Sequence, residues 1–166
     1  MMDNKLLDGL NKQINKEIYS AYLYFAMSIY FTEINMEGFA KVIKEQAKEE
    51  LTHAKKIRNY LVARNEKVNL YPVEAPDSNW INPLDAIKNA LSHEQIVTKS
   101  INELFEFSRE IKDYATEVFL HWFITEQVEE EDKFRTLFEK IENVENYDCE
   151  IMHIDRNLKI DEEYVE

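Results

Sequence analysis

Lys48-Glu49-Glu50-Leu51-Thr52-His53-Ala54-Lys55-Lys56 sets two adjacent glutamates just ahead of a histidine. On an α-helix the three-residue step puts Glu50 and His53 on one face, with Glu49 turned about 100° away. The flanks decide which face that is. Phe39 and Ile43 before the stretch, and Ile57 and Tyr60 after it, continue the same line of threes and fours through Gln46, Glu50 and His53. An apolar stripe of that period is the face a helix buries. Glu50 and His53 are therefore expected to point inward, at the middle of a stripe that is apolar at both ends.

Three further segments show the same design. Residues 4–33 carry Leu7, Leu10, Ile14, Glu17, Ala21, Tyr24, Ser28 and Phe31 on one stripe. A segment opening at Pro83 and running to about Lys112 carries Leu84, Ile87, Leu91, Glu94, Thr98, Ile101 and Phe105. A fourth, to about Asn143, carries Leu120, Phe123, Gln127, Glu130, Phe134, Leu137 and Ile141. Glu17 and Glu50 are 33 residues apart, and so are Glu94 and Gln127, so the two halves read as diverged copies by spacing.

The breakers supply the topology. Gly38, in Asn35-Met36-Glu37-Gly38, marks a short turn after the first helix, and Asp113 is placed to cap the fourth. Short connections make helices one and two antiparallel neighbours, and likewise three and four. The stretch 65–82 holds two of the three prolines, and Pro83 follows it directly after the cap residue Asn82. At ~3.3 Å per residue those residues reach ~60 Å, more than the ~40 Å height of a helix of this size. The chain can thus climb the whole bundle and begin helix three at the end where helix two began. The expected fold is all-α: an antiparallel four-helix bundle with one long crossover, a single domain over 1–166, and a short fifth helix through Ile151, Ile154 and Leu158.

In antiparallel helices of similar length, middles meet middles, so Glu17, Glu50, His53, Glu94, Gln127 and Glu130 converge at one height. Four carboxylates buried together repel one another and lose hydration unless they are protonated or hold cations. Carboxylates with one imidazole suit Fe, Mn or Zn, and there are enough ligands for two divalent ions sharing Glu50. Tyr24, on the stripe after Glu17, is placed either as a core aromatic or as a partner of a ligand. Glu49, Glu126 and Glu129 adjoin the inward positions. Each is by default surface charge, and together they form a candidate outer metal station.

Composition excludes several alternatives. Of 166 residues, 45% are hydrophobic and 32% charged, with 2 Gly and 3 Pro, which is enough apolar mass for a core and too few breakers for a sheet protein. The net charge of -13 disfavours nucleic acid. The single cysteine, Cys149, excludes an internal disulfide and a thiolate-rich metal site, and fits a reducing, cytoplasmic location. Met1–Leu10 shows no signal-peptide pattern, and no apolar run approaches the ~20 residues of a membrane span.

Asn15–Ser28 (NKEIYSAYLYFAMS), Glu45–Lys56 (EQAKEELTHAKK), Ala90–Leu104 (ALSHEQIVTKSINEL) and Phe119–Asp132 (FLHWFITEQVEEED) together resemble, in order and spacing, the four helices of prokaryotic non-haem ferritins of the ferroxidase-competent H type, within the ferritin-like superfamily. The resemblance implies a ferroxidase: Glu17, Glu50 and His53 would hold one iron, and Glu50, Glu94 and Glu130 a second, with Gln127 at the site. It matches Glu49, Glu126 and Glu129 to a third iron position, and Tyr24 and Trp122 to aromatics beside the centre. It further implies a hollow homo-oligomeric shell of 24 subunits that oxidises Fe(II) with O2 or peroxide and stores ferric mineral, with the fifth helix lining pores. Leu51 stands where haem-binding relatives carry methionine, so no haem is expected. Rival readings are a substrate-oxidising di-iron enzyme and an inert helical interaction protein.

Overall fold

In the computed structural model, which describes residues 2–144 and 147–160, five helices follow in order: α1 Asn4–Glu33, α2 Glu37–Ala63, α3 Pro83–Glu110, α4 Tyr114–Glu142 and α5 Tyr147–Ile160. Helix starts are capped as their residues dictate. Asp3 accepts from the backbone N–H groups of Lys5 and Leu6. Asn82 accepts from Asp85 with Pro83 at the first helical position, and Asp113 accepts from Thr116. Each cap satisfies donors that the first turn leaves without an intrahelical partner.

The turn between α1 and α2 differs from expectation. It is closed by Asn35, at φ 60, not by Gly38. Asn65 (φ 56) and Lys112 (φ 60) close α2 and α3 in the same way. At each end the next residue's N–H reaches back to the helix: Met36 to the Phe31 carbonyl, Glu66 to Leu61 and Asp113 to Ser108, all at 2.9 Å. This left-handed closure is usually made by glycine. Here side-chain-bearing residues make it, which is why glycine counting misplaced the turn.

Gly38 instead lies inside α2, where α5 crosses it. A Cβ at this position would stand 1.9 Å from the carbonyl oxygen of Asp155. The same Asp155, buried on α5, accepts from the Phe39 N–H at 2.9 Å. The α2 start has no side-chain cap of its own at Met36, so α5 supplies the missing carboxylate. In a free helix Gly→Ala stabilises by about 1 kcal/mol. Here the sign reverses: Gly38→Ala is expected to cost about 1–3 kcal/mol through overpacking and to loosen α5. A lower thermal midpoint and faster proteolysis after α4 would register it, whereas an unchanged midpoint would contradict the contact.

The crossover runs beside α1 and is tied to it. Buried Asn11 donates to the Lys67 carbonyl at 3.2 Å and accepts from the Asn69 N–H at 2.8 Å. Asn15 donates to the Pro72 carbonyl at 3.1 Å, and Trp80 packs edge-on against Tyr30. At the lower end Arg64 meets both oxygens of Asp113 at 3.0 Å, joining the end of α2 to the start of α4.

The core is divided in two. One cluster gathers Met27, Phe31, Phe39, Ile43, Ile87, Phe134 and Ile141, with Ile151 of α5 packed on it. The other gathers Leu6, Leu10, Ile14, Ile57, Leu61, Ile101, Leu120 and Phe123. Each fully buried large side chain contributes about 1.5–3 kcal/mol. Two such clusters hold the helices in register at both ends, and the polar middle of every stripe falls between them.

Candidate metal centre

Glu17 of α1, Glu50 and His53 of α2, Glu94 of α3, and Gln127 and Glu130 of α4 occupy that middle storey, none more than 4% exposed. All the inward-pointing residues expected from the stripes are thus brought to one height. One oxygen or nitrogen from each of Glu17, Glu50 and His53 lies within 4.8 Å of the others. A second group, His53, Glu126 and Glu130, meets the same test, so the imidazole stands between two carboxylate pairs. Its Nδ1 is 3.4 Å from Glu50 Oε2, and its Nε2 is 3.7 Å from Glu126 Oε1. Trp122, at the rim, sets its ring edge-on to His53 with centroids 5.4 Å apart.

Glu94 stands in the same storey but in neither group. Tyr24, fully buried, donates its hydroxyl to Glu94 Oε1. The other oxygen of Glu94 accepts from Gln127 Nε2 at 3.1 Å. Of the two readings left open for Tyr24, the hydroxyl contact to a candidate ligand is the one observed, although its ring also stacks on Phe134.

The expected outer trio is divided. Glu126 turns to His53. Glu49 is half exposed and pairs with Lys133 Nζ at 3.1 Å. Glu129 is exposed. His93, given no role from the sequence, bonds Ser20 Oγ at 2.7 Å and packs against the rings of Tyr19 and Tyr24; burial lowers its pKa to about 4, so it is neutral.

The sequence placed Gln46 on the inward stripe without a role, and Gln13 and Lys133 were passed over. Gln46 Nε2 donates to Glu50 Oε1 at 2.9 Å and to Glu130 Oε2 at 2.8 Å, and its Oε1 accepts from Lys133 Nζ at 2.5 Å. Gln13 Nε2 donates to Glu17 Oε1 at 2.8 Å. The signal was present in the two segments Gln13-Ile14-Asn15-Lys16-Glu17 and Gln46-Ala47-Lys48-Glu49-Glu50, each with glutamine one helical turn before an inward glutamate.

The electrostatics follow from burial. Desolvation raises Glu17 and Glu50 well above the ordinary carboxylate range. The charge of Glu50 adds to the rise at Glu17, and those of Glu94 and Glu130 to the rise at Glu50. Burial also raises Glu94, against the hydrogen bonds from Tyr24 and Gln127, and lifts Glu130 to about 7. Glu17 Oε2 is buried with no hydrogen-bond partner. A buried carboxylate oxygen in that position, beside an imidazole and other carboxylates, has the donor chemistry of a hard or borderline divalent cation such as Fe(II), Mn(II) or Zn(II). The residues present fit such an ion.

Fold and site together define a four-helix bundle built around a buried carboxylate–histidine belt. A family model described as a ferritin-like domain matches residues 7–144. The bacterial non-heme ferritin of Staphylococcus haemolyticus is 38% identical over 154 residues, which is 93% of this chain and 92% of that protein. That of Staphylococcus aureus is 43% identical over 136 residues, 82% of each. An open pore ferritin from the hyperthermophilic archaeon Archaeoglobus fulgidus superposes with a TM-score of 0.94 at 41% identity, covering 96% of this chain and 99% of that one. The chain belongs to the ferritin family.

Proposed function

We propose that this chain is the subunit of an iron-storage shell with ferroxidase activity, taking Fe(II) as its substrate. The observation that supports this most is the buried belt, in which all four bundle helices contribute carboxylate or imidazole donors at one height between two apolar clusters. Glu17, Glu50 and His53 hold one Fe(II). Glu94 and Glu130 would provide for a second, with Glu50 available to both, and Gln127 fixes Glu94 by its amide. Bound iron supplies the redox chemistry, two Fe(II) giving up two electrons to O2 or peroxide.

The protein's own contribution is to gather the donors, to keep bulk water out with Phe123 below and Phe134 above, and to leave Glu17 Oε2 free for the metal. Tyr24 holds Glu94 by donating its hydroxyl to Oε1, which fixes that carboxylate in the belt. Of the outer carboxylates, Glu126 lies nearest the belt, so it is the first station for an ion leaving or approaching, with Glu129 outside it and Glu49 held aside by Lys133. No haem enters this reading, since Leu51 carries no sulfur with which to ligate one. Assembly into a cytoplasmic shell of about 24 copies is the expected context of this reading.

The test is aerobic addition of Fe(II) to the purified assembly, following oxidation and then the iron that co-elutes with protein on sizing. The expected outcome is oxidation well above buffer and retention far beyond about two ions per subunit. Retention of only a few ions would sink storage and leave an oxidase. Oxidation no faster than buffer would sink both.

A further inference from the structure

Two lysines outside the belt are connected to its carboxylates by the same chemical arrangement. On the α2–α4 side, Lys133 Nζ donates to Gln46 Oε1 at 2.5 Å, and Gln46 Nε2 donates to Glu50 Oε1 and Glu130 Oε2. On the α1–α3 side, Lys16 Nζ donates to Ser100 Oγ at 2.5 Å, Ser100 donates to Gln13 Oε1 at 2.6 Å, and Gln13 Nε2 donates to Glu17 Oε1. Both glutamines are wholly buried. A carboxylate only accepts and an ammonium only donates, so a carboxamide between them has one workable orientation: oxygen toward the lysine, N–H toward the carboxylate. Lys133 enforces this directly, and Lys16 does so through a hydroxyl that accepts from it and donates onward.

The consequence at the belt is a division of the three carboxylates the glutamines reach, Glu17, Glu50 and Glu130, into one tied oxygen and one left over. Glu17 keeps Oε2, which has no partner. Glu50 keeps Oε2, facing His53 Nδ1. Glu130 keeps Oε1. We propose that Lys133–Gln46 and Lys16–Ser100–Gln13 are positioning relays that fix which carboxylate oxygen of Glu17, Glu50 and Glu130 is offered to the metal. The same Lys133 holds Glu49, so the relay on this side also withdraws Glu49 from the outer station. The proposal rests on the reading of the belt as an Fe(II) site.

The test uses Co(II), added without oxygen to the metal-free assembly, as a probe that reports affinity, stoichiometry and, through its visible d–d bands, ligand geometry. Removing groups that orient metal ligands costs about ten- to a hundredfold in affinity. Gln46→Leu and Lys133→Met are expected to weaken Co(II) binding by that factor and to shift the bands, with sizing unchanged. Lys133→Arg, which keeps a donor at the same place, is expected to return affinity to within about threefold of the parent.

Parent-like affinity and bands in both Gln46→Leu and Lys133→Met would overturn the Lys133–Gln46 relay, and the same result in both Gln13→Leu and Lys16→Met would overturn the other, in each case leaving the belt intact. Loss that Lys133→Arg does not repair would overturn the hydrogen-bond account. Should Gln46→Leu fail to assemble, Lys133→Met decides alone, because that side chain is 37% exposed at the rim. A parent protein that binds no Co(II) would remove the belt reading, and the relays with it.

Discussion

Glu50→Gln is expected to abolish rapid Fe(II) oxidation, lowering the initial rate by a hundredfold or more, because it removes a ligand itself where loss of a mere supporting group already costs ten- to a hundredfold. Glu50 is the residue to choose. It meets His53 and Glu17 in a wholly buried donor group and takes the amide of Gln46 on its other oxygen. The glutamine variant keeps the volume and an acceptor for Gln46 but takes away a charge that desolvation already disfavours. The metal-free variant is therefore expected to be as stable as the parent, or more so, at pH 8, which separates loss of chemistry from loss of fold. Stopped-flow oxidation beside thermal melts measures both. A rate within about twofold of the parent would remove Glu50 from the site.

The second large effect is on stability. Buried carboxylates with raised pKa contribute stability that is complete below their unfolded value of 4.5 and is lost as pH rises through the folded value, about 7 for Glu130. That single shift corresponds to about 3 kcal/mol, and Glu17, Glu50 and Glu94 act in the same direction. The metal-free protein is thus expected to lose stability between pH 5 and pH 8. The opposite window belongs to Asp113, whose hydrogen bonds with Arg64 and Thr116 hold it below its ordinary value against the cost of burial. Its contribution is present above pH 4 and lost in acid.

A divalent ion binds the deprotonated belt and should restore stability at pH 8, by about 2.7 kcal/mol when its concentration is a hundred times its Kd. Denaturation curves at pH 5 and pH 8, with and without Co(II), check the sign. The Glu130→Gln variant should show a flatter metal-free profile than the parent. A profile as steep as the parent's would show that Glu130 does not carry the loss.

How much of this was legible from residues alone differs by feature. The stripes of helices one, two and four were, since Phe39, Ile43, Ile57 and their counterparts repeat at the helical period and are found buried where the period puts them, apart from Leu7 and Tyr60, which lie at the edge. Helix three was legible only approximately: Ala86, Ala90 and Val97 are buried, while Leu84, Leu91 and Phe105 lie at the edge. Its stripe is rotated by a fraction of a turn, because small residues face the inside and larger ones close the seam. The left-handed turns at Asn35, Asn65 and Lys112 were not legible as such, because a side-chain-bearing residue in that conformation carries a weaker sequence signal than glycine.

The sequence by itself determined four long helices, a single long crossover, and the meeting of Glu17, Glu50, His53, Glu94, Gln127 and Glu130 at mid-height. Periodicity settles which face of a helix is buried, and equal distances from the turns settle where along the bundle a residue falls. Only the tertiary structure decided how those groups are partnered: Tyr24 on Glu94, Gln46 bridging Glu50 and Glu130, and Lys133 claiming Glu49. It alone also decided that the start of α2 would be capped by Asp155, 116 residues away. Those pairings depend on the rotation and rotamers of side chains from helices packed about 8–10 Å apart, and no spacing along one helix encodes what the facing helix presents.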